Sequence, residues 1–143
     1  MALTRREACM LIPALMAATT SYGADEKSPS KDVLKSATYD FNHLHAIKSA
    51  DHTTYPIFQG KTQGGFPIQL HETELAPNAQ PHPPHHHPSE EMFLVREGLV
   101  EVTIDGKRTK LGAGSVAYIA SNVVHGILNV GDKPARYFVM ELD

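Results

Sequence analysis

The sequence predicts an all-β domain, one antiparallel sandwich or barrel, on three observations. From Tyr39 onward no segment sustains a helical period through three turns. Short stretches instead alternate apolar with polar residues, the repeat of a strand that turns one face to a core. The separators between them are turn formers: Asp105-Gly106, Gly112-Ala113-Gly114, Ser121-Asn122 and Gly131-Asp132-Lys133-Pro134. With 143 residues and no internal repeat, one domain with one real core is expected.

The first two dozen residues read as a signal peptide, residues 1–24. Arg5 and Arg6 form a basic start, weakened by Glu7, and Ala8 to Ala18 is an apolar run of eleven residues, too short to span a bilayer. Ser21 and Gly23 can fill the two small-residue positions that a signal peptidase inspects. The plainer alternative is a short helix packed on the domain. A lipoprotein is excluded because Cys9 lies near the start of the apolar run instead of ending it. The Thr4-Arg5-Arg6 start hints at twin-arginine export, but Glu-Ala-Cys after the pair is a poor match. Removal of residues 1–24 takes away two arginines and one glutamate, so 13 basic and 16 acidic residues become 11 and 15. The mature chain is then cysteine-free and mildly acidic, which suits a periplasmic or extracellular location. With Cys9 the sole cysteine, a disulfide framework or thiolate metal site within one chain is excluded, and the near-balanced charge gives no case for nucleic acid or an anionic membrane.

Residues 25–38, polar and lysine-rich, read as a tether, and residues 39–143 as the barrel domain. In "FPIQLHETEL", Ile68 and Leu70 share one face while Gln69, His71 and Thr73 share the other. The stretch "LVEVTIDGKRTKL" is the clearest element: Val100, Val102 and Ile104 alternate with Glu101 and Thr103, and Asp105-Gly106 signals a two-residue hairpin. "SVAYIA", "VVHGILNV" and "ARYFVMEL" complete the strands. Phe93, Tyr118, Phe138 and Met140 are residues of the kind that usually fill a core.

The chemistry concentrates in "PHPPHHHPSEEMFLVREG", Pro81 to Gly98, which holds four of the nine histidines. In extended backbone His85 and His87 point the same way and His86 the opposite way. Glu91 has the same parity, but a straight strand would place it about 13 Å from His87, too far to share an ion. Pro88 and Ser89 are turn formers at the right place to fold it back. His125, opening the apolar stretch before Ile127 and Leu128, is the best further ligand. A disordered proline–histidine tract that scavenges metal would explain the histidines but not the spacing of Glu91, Gly98 and His125. His82 and His86 read as rim or surface residues, and His43, His45 and His52 as part of an N-terminal strand or loop away from the site.

His85-x-His87-x3-Glu91-x6-Gly98 resembles the first motif of the cupin superfamily of small β-barrels. Gly114 to Asn129, "GSVAYIASNVVHGILN", is similar to the second, with His125 in the metal-ligand place and Asn129 closing the motif. Leu99 to Ala113 has the short intermotif length of bacterial single-domain cupins, and the resemblance covers roughly Ile68 to Leu142. It implies a single antiparallel cupin barrel, jelly-roll-like, binding one divalent ion through His85, His87, Glu91 and His125. Two departures concern loop shape: Ala120 and Asn122 stand where the family usually has proline and glycine, and Pro77-Asn78 where a glycine commonly precedes the first histidine. Asparagine tolerates a left-handed turn, so the turn at Asn122 is expected to survive.

Three imidazoles and a carboxylate suit manganese, iron, nickel, copper, cobalt or zinc and leave open positions on a five- or six-coordinate ion. The expected activity is a metal-dependent enzyme of dioxygenase type on a small organic substrate, with Glu91 as ligand and catalytic carboxylate and Gln69, His71, Phe93 and Tyr118 as pocket candidates. The alternatives are a non-catalytic binder of metal and small ligand, or a scaffold that the metal only stabilises. Neither nucleic acid nor, once the signal segment is removed, a membrane is an expected partner. Homodimerisation is left open.

Overall fold

A computed structural model describes residues 32–143, so the expected signal segment and residues 25–31 of the tether lie outside the described residues. A 3-10 turn, Phe41–His43, precedes nine strands: β1 Ile47–Lys48, β2 His52–Lys61, β3 Pro67–Leu75, β4 Glu90–Glu97, β5 Leu99–Ile104, β6 Lys107–Gly112, β7 Val116–Ile119, β8 His125–Asn129 and β9 Ala135–Leu142. All strand pairs are antiparallel, in a six-stranded sheet ordered β1-β2-β3-β9-β4-β7 and a three-stranded sheet ordered β6-β5-β8. The expected all-β antiparallel barrel is the observed one. Among the described residues no helix is long and apolar enough to cross a membrane.

The period-two pattern decides what faces inward. On β4, Glu91, Phe93 and Val95 are buried while Leu94 on the other face is exposed. On β9, Ala135, Tyr137 and Val139 are the buried set, and on β5, Val100 and Val102. These side chains, with Leu75, Ala117, Ile119 and Ile127, form the core between the two sheets. Phe138 and Met140 do not join it: they have the opposite parity on β9 and lie half-buried on the outer face of the large sheet. Hydrophobicity alone marked them as core, and register places them outside.

The turns follow their residues. Asp105 and Gly106 both have positive φ, 47° and 76°, the two-residue hairpin geometry that matches strand twist. Asn122 has φ 61°, so it takes the left-handed turn without glycine, and Asn78 does the same at φ 59°. Gly98, at φ 86°, has a second constraint: a Cβ there would lie 2.8 Å from the Ala135 backbone.

Two N-terminal pieces pack on the barrel. Asp32 to Leu34 runs parallel beside Lys61, with Leu34 N donating to Lys61 O and Lys61 N to Asp32 O, both at 2.8 Å. The segment around the 3-10 turn lies on the outer face of β2, where Phe41 meets Tyr55 and Tyr39 meets Phe58. The guanidinium groups of Arg96 and Arg136 stand over the Phe41 ring. Glu72, on that outer face, is 1% exposed and is paired with Arg96 at 3.2 Å.

Candidate metal centre

The loop between β3 and β4 is fastened along β8. Asn129 N donates to Ala79 O, Asn78 N to Asn129 O, and His85 and His125 exchange two backbone bonds of 2.9 and 2.8 Å. Pro84 lies over Gly126, where a Cβ would approach its ring to 3.1 Å. Asn122 N donates to His87 O, fixing the far end of the histidine run. Asn129 anchors the start of the same loop: its fully buried amide donates to the carbonyls of Leu75, Ala76 and Lys133 and accepts from Gly131 N. The local structure at the histidines is a single bridge, not a strand, yet the backbone is extended enough for His85 and His87 to share a side. The chain then bends at Pro88-Ser89, and β4 begins at Glu90.

The result is a compact cluster. His85, His87 and His125 each offer a ring nitrogen, and those atoms lie within 4.8 Å of one another. Glu91 Oε2 is 2.7 Å from His125 Nε2 and 3.9 Å from His87 Nε2. His125 Nδ1 lies 2.8 Å from the carbonyl of Val123 and His87 Nδ1 3.1 Å from that of Ser89. A carbonyl only accepts, so each Nδ1 carries a proton, and in the neutral ring each Nε2 presents a lone pair. His125 Nε2 and Glu91 Oε2 are therefore electron-pair donors in contact, and both are buried without a hydrogen-bond partner, as is His85 Nδ1. Two buried electron-pair donors in contact, beside two further imidazoles, are what a cation would satisfy. The residues fit a divalent metal.

Electrostatics agree. Burial, with the neighbouring imidazoles of His82, His125, His87 and His86, holds the His85 ring well below its ordinary value, at about 4, so it is neutral and able to ligate. Burial, and then the Glu141 carboxylate directly opposite on β9, pushes Glu91 up to about 7 against the opposing effect of His87. A like charge facing Glu91 across the ladder needs a cation or a proton for compensation.

The cluster lies in a cavity of about 310 Å³ between the sheets. Of the candidates read from sequence, His71 and Phe93 line it; Phe93 also packs its ring 6.2 Å from His125. Burial lowers the His71 pKa, with Glu141 opposing, so its ring is neutral. Gln69 lines a separate, larger cavity with Asp32 to Lys35, away from the histidines. Tyr118 points outward from β7, 52% exposed, with its hydroxyl bonded to the Glu90 carboxylate. β7 alternates with Ala117 and Ile119 inward, so the parity that buries those two excludes Tyr118. Among the lining residues not found from sequence are His52 and Thr54 on β2, Tyr137, and Glu141. The period-two pattern around Thr73 could have found Thr54, but pairing β2 with β3 was not legible. His82 lies at the cavity too, edge-on to His85 with ring centroids 4.1 Å apart, while His86 is exposed.

Fold and site together define a small β-barrel with a candidate histidine-rich metal centre in its cavity. The family model for the cupin domain matches residues 71–141, and the chain belongs to the cupin superfamily. No curated protein matches it in sequence. Among solved structures it is similar to KdgF from Halomonas sp., at 12% identity over 75% of this chain and 94% of that one, with a TM-score of 0.65. It is similar also to an RmlC-like cupin from Shewanella frigidimarina, at 16% identity over 75% and 91%, TM-score 0.62. A sugar phosphate isomerase of the cupin superfamily from Silicibacter pomeroyi matches at 17% identity over 75% and 76%, TM-score 0.62. These likenesses are of fold, and one fold hosts many chemistries.

Proposed function

We propose that this protein is an exported, metal-dependent cupin oxidoreductase of dioxygenase type that acts on a small organic molecule. His85, His87, Glu91 and His125 would hold one divalent transition metal. The observation that carries the metal is the clustering of ring nitrogens of His85, His87 and His125 within 4.8 Å of one another, with the buried Glu91 carboxylate against His125. When bound, such an ion polarises a coordinated substrate and supplies open positions for oxygen chemistry. The chain's own residues do the rest. Phe93, Val139 and Ile127 exclude bulk water from the cavity, which strengthens every charge inside it. The cavity volume suits a small molecule. Export is proposed from the basic start and short apolar run of residues 1–24.

The test begins with elemental analysis of protein from its native host, followed by oxygen uptake across enediol, diketone and phenolic substrates. A stoichiometric metal and turnover of one substrate are expected. A metal-loaded protein that binds one of them saturably yet turns over none would replace the enzyme with a binding protein. Intact mass decides export: a mature chain beginning between Ser21 and Asp25 is expected, and retention of residues 1–20 would overturn it.

A further inference from the structure

The wall of the cavity facing the metal centre comes from β2 and β3, and β2 lies outside the residues that the cupin family model matches. On this wall Thr54 pairs with Thr73, and His52 opens β2 opposite the fully buried Leu75. His52 Nδ1 is 3.0 Å from the Asp51 carboxylate. An ionised carboxylate can only accept, so Nδ1 carries the proton and Nε2 is left as a free acceptor. An imidazole in a cavity, oriented through one nitrogen by a carboxylate, is the arrangement that general bases use. Among the described residues the cavity lining holds no lysine or arginine, so an anionic ligand would take its counter-charge from the metal.

We propose that His52 is the proton acceptor of this site, positioned by Asp51, and that its substrate is a hydroxyl-bearing chelator of the phenol or enediol class. The inference rests on the metal-dependent reading above. As the substrate hydroxyl binds, its O–H bond breaks, the electron pair stays on oxygen, and the proton forms an N–H bond at His52 Nε2. Asp51 stabilises the resulting imidazolium through Nδ1–H. No oxidant is needed for this step. His71, neutral on the same wall, and Thr73 remain to hydrogen-bond the substrate.

The probe is 4-nitrocatechol, whose visible band reports its ionisation, added to the zinc-loaded full chain in weakly buffered solution with a pH indicator. Wild-type protein is expected to keep the released proton. His52→Gln is expected to release about one more proton per ligand bound and to bind roughly tenfold more weakly, the loss of one charge-assisted bond. Asp51→Asn should move both readouts the same way by less, and zinc content should be equal in all three because neither residue is a ligand. Unchanged proton release and affinity in His52→Gln would overturn the proposal, as would no binding of the probe to zinc-loaded wild type. A wild-type chain that holds no zinc sinks the metal reading instead, and the dyad is then read without metal by ¹⁵N NMR. The Nδ1–H tautomer of His52 is expected, and an Nε2–H tautomer overturns the assignment.

Discussion

Replacing Glu91 by glutamine should stabilise the metal-free protein while weakening its hold on metal. Burial and the facing Glu141 raise the Glu91 carboxyl from 4.5 to about 7. Between those values the folded chain keeps a proton that the unfolded chain has lost, so the folded state binds more protons and stability falls as pH rises. Each tenfold change in proton affinity is about 1.4 kcal/mol, so this group alone costs the metal-free fold on the order of 3 kcal/mol by pH 8. Glu91→Gln removes a charge of nearly the same shape and should remove that cost. Urea denaturation of chelator-treated protein at pH 4.5 and pH 8 is the assay. The variant should match wild type at pH 4.5, where both side chains are neutral, and exceed it by roughly 2–3 kcal/mol at pH 8. Added metal should reverse the order, because wild type gains about 2.7 kcal/mol at a hundred times its dissociation constant and the amide gains less. A variant no more stable than wild type at pH 8 would refute the reasoning, and with it the charge strain at Glu91.

Parity at the histidine run predicts that His86→Ala keeps the metal whereas His87→Ala weakens it more than about 100-fold; equal loss in both, by elemental analysis, would mean a disordered tract. Asn129→Ala removes a side chain that makes four hydrogen bonds at full burial. It should cost about 3–5 kcal/mol and lower the thermal midpoint by at least about 12 °C, and a calorimetric shift of only a few degrees would contradict the anchoring role. Gly98→Ala should cost about 2–4 kcal/mol, combining positive φ with the 2.8 Å approach to Ala135. Gly106→Ala, with similar φ and nothing within 4 Å, should cost at least about 1 kcal/mol less by urea denaturation.

The parts of the fold legible in the sequence are those fixed by local chemistry. Asp105-Gly106 announces its hairpin because only certain residues take two positive φ angles in succession. Asn122 could be trusted as a turn for the same reason. The core of β4 and β5 follows from period two. The four histidine and carboxylate positions came together because their spacing carries both parity and a bend. What stayed hidden is long-range pairing. His52 is linked to the cavity only through the register of β2 on β3, which no local pattern encodes. Tyr118 and Phe138 show the converse, since an aromatic side chain does not declare which face of its strand is wet. Gln69 has the same parity as His71, yet it lies nearer the start of β3 and lines a cavity with Asp32 to Lys35 instead.

The placement of the candidate ligands also implies that proton and metal would compete here. Glu91 stands on the six-stranded sheet, His125 on the three-stranded one, and His85 and His87 on the loop fastened to β8. An ion held by all four joins the two sheets across the core, so its binding energy is in part folding energy. Without it, the 2.7 Å contact between Glu91 Oε2 and His125 Nε2 sets two lone pairs against each other, and a proton on the carboxyl is the alternative that relieves them. Burial first, and then the facing Glu141, raise the Glu91 pKa against the opposing effect of His87. Metal binding must therefore expel this proton below about pH 7, and its affinity should rise with pH up to that value and level off above it. The charge that strains the metal-free barrel is the one that a bound ion would use.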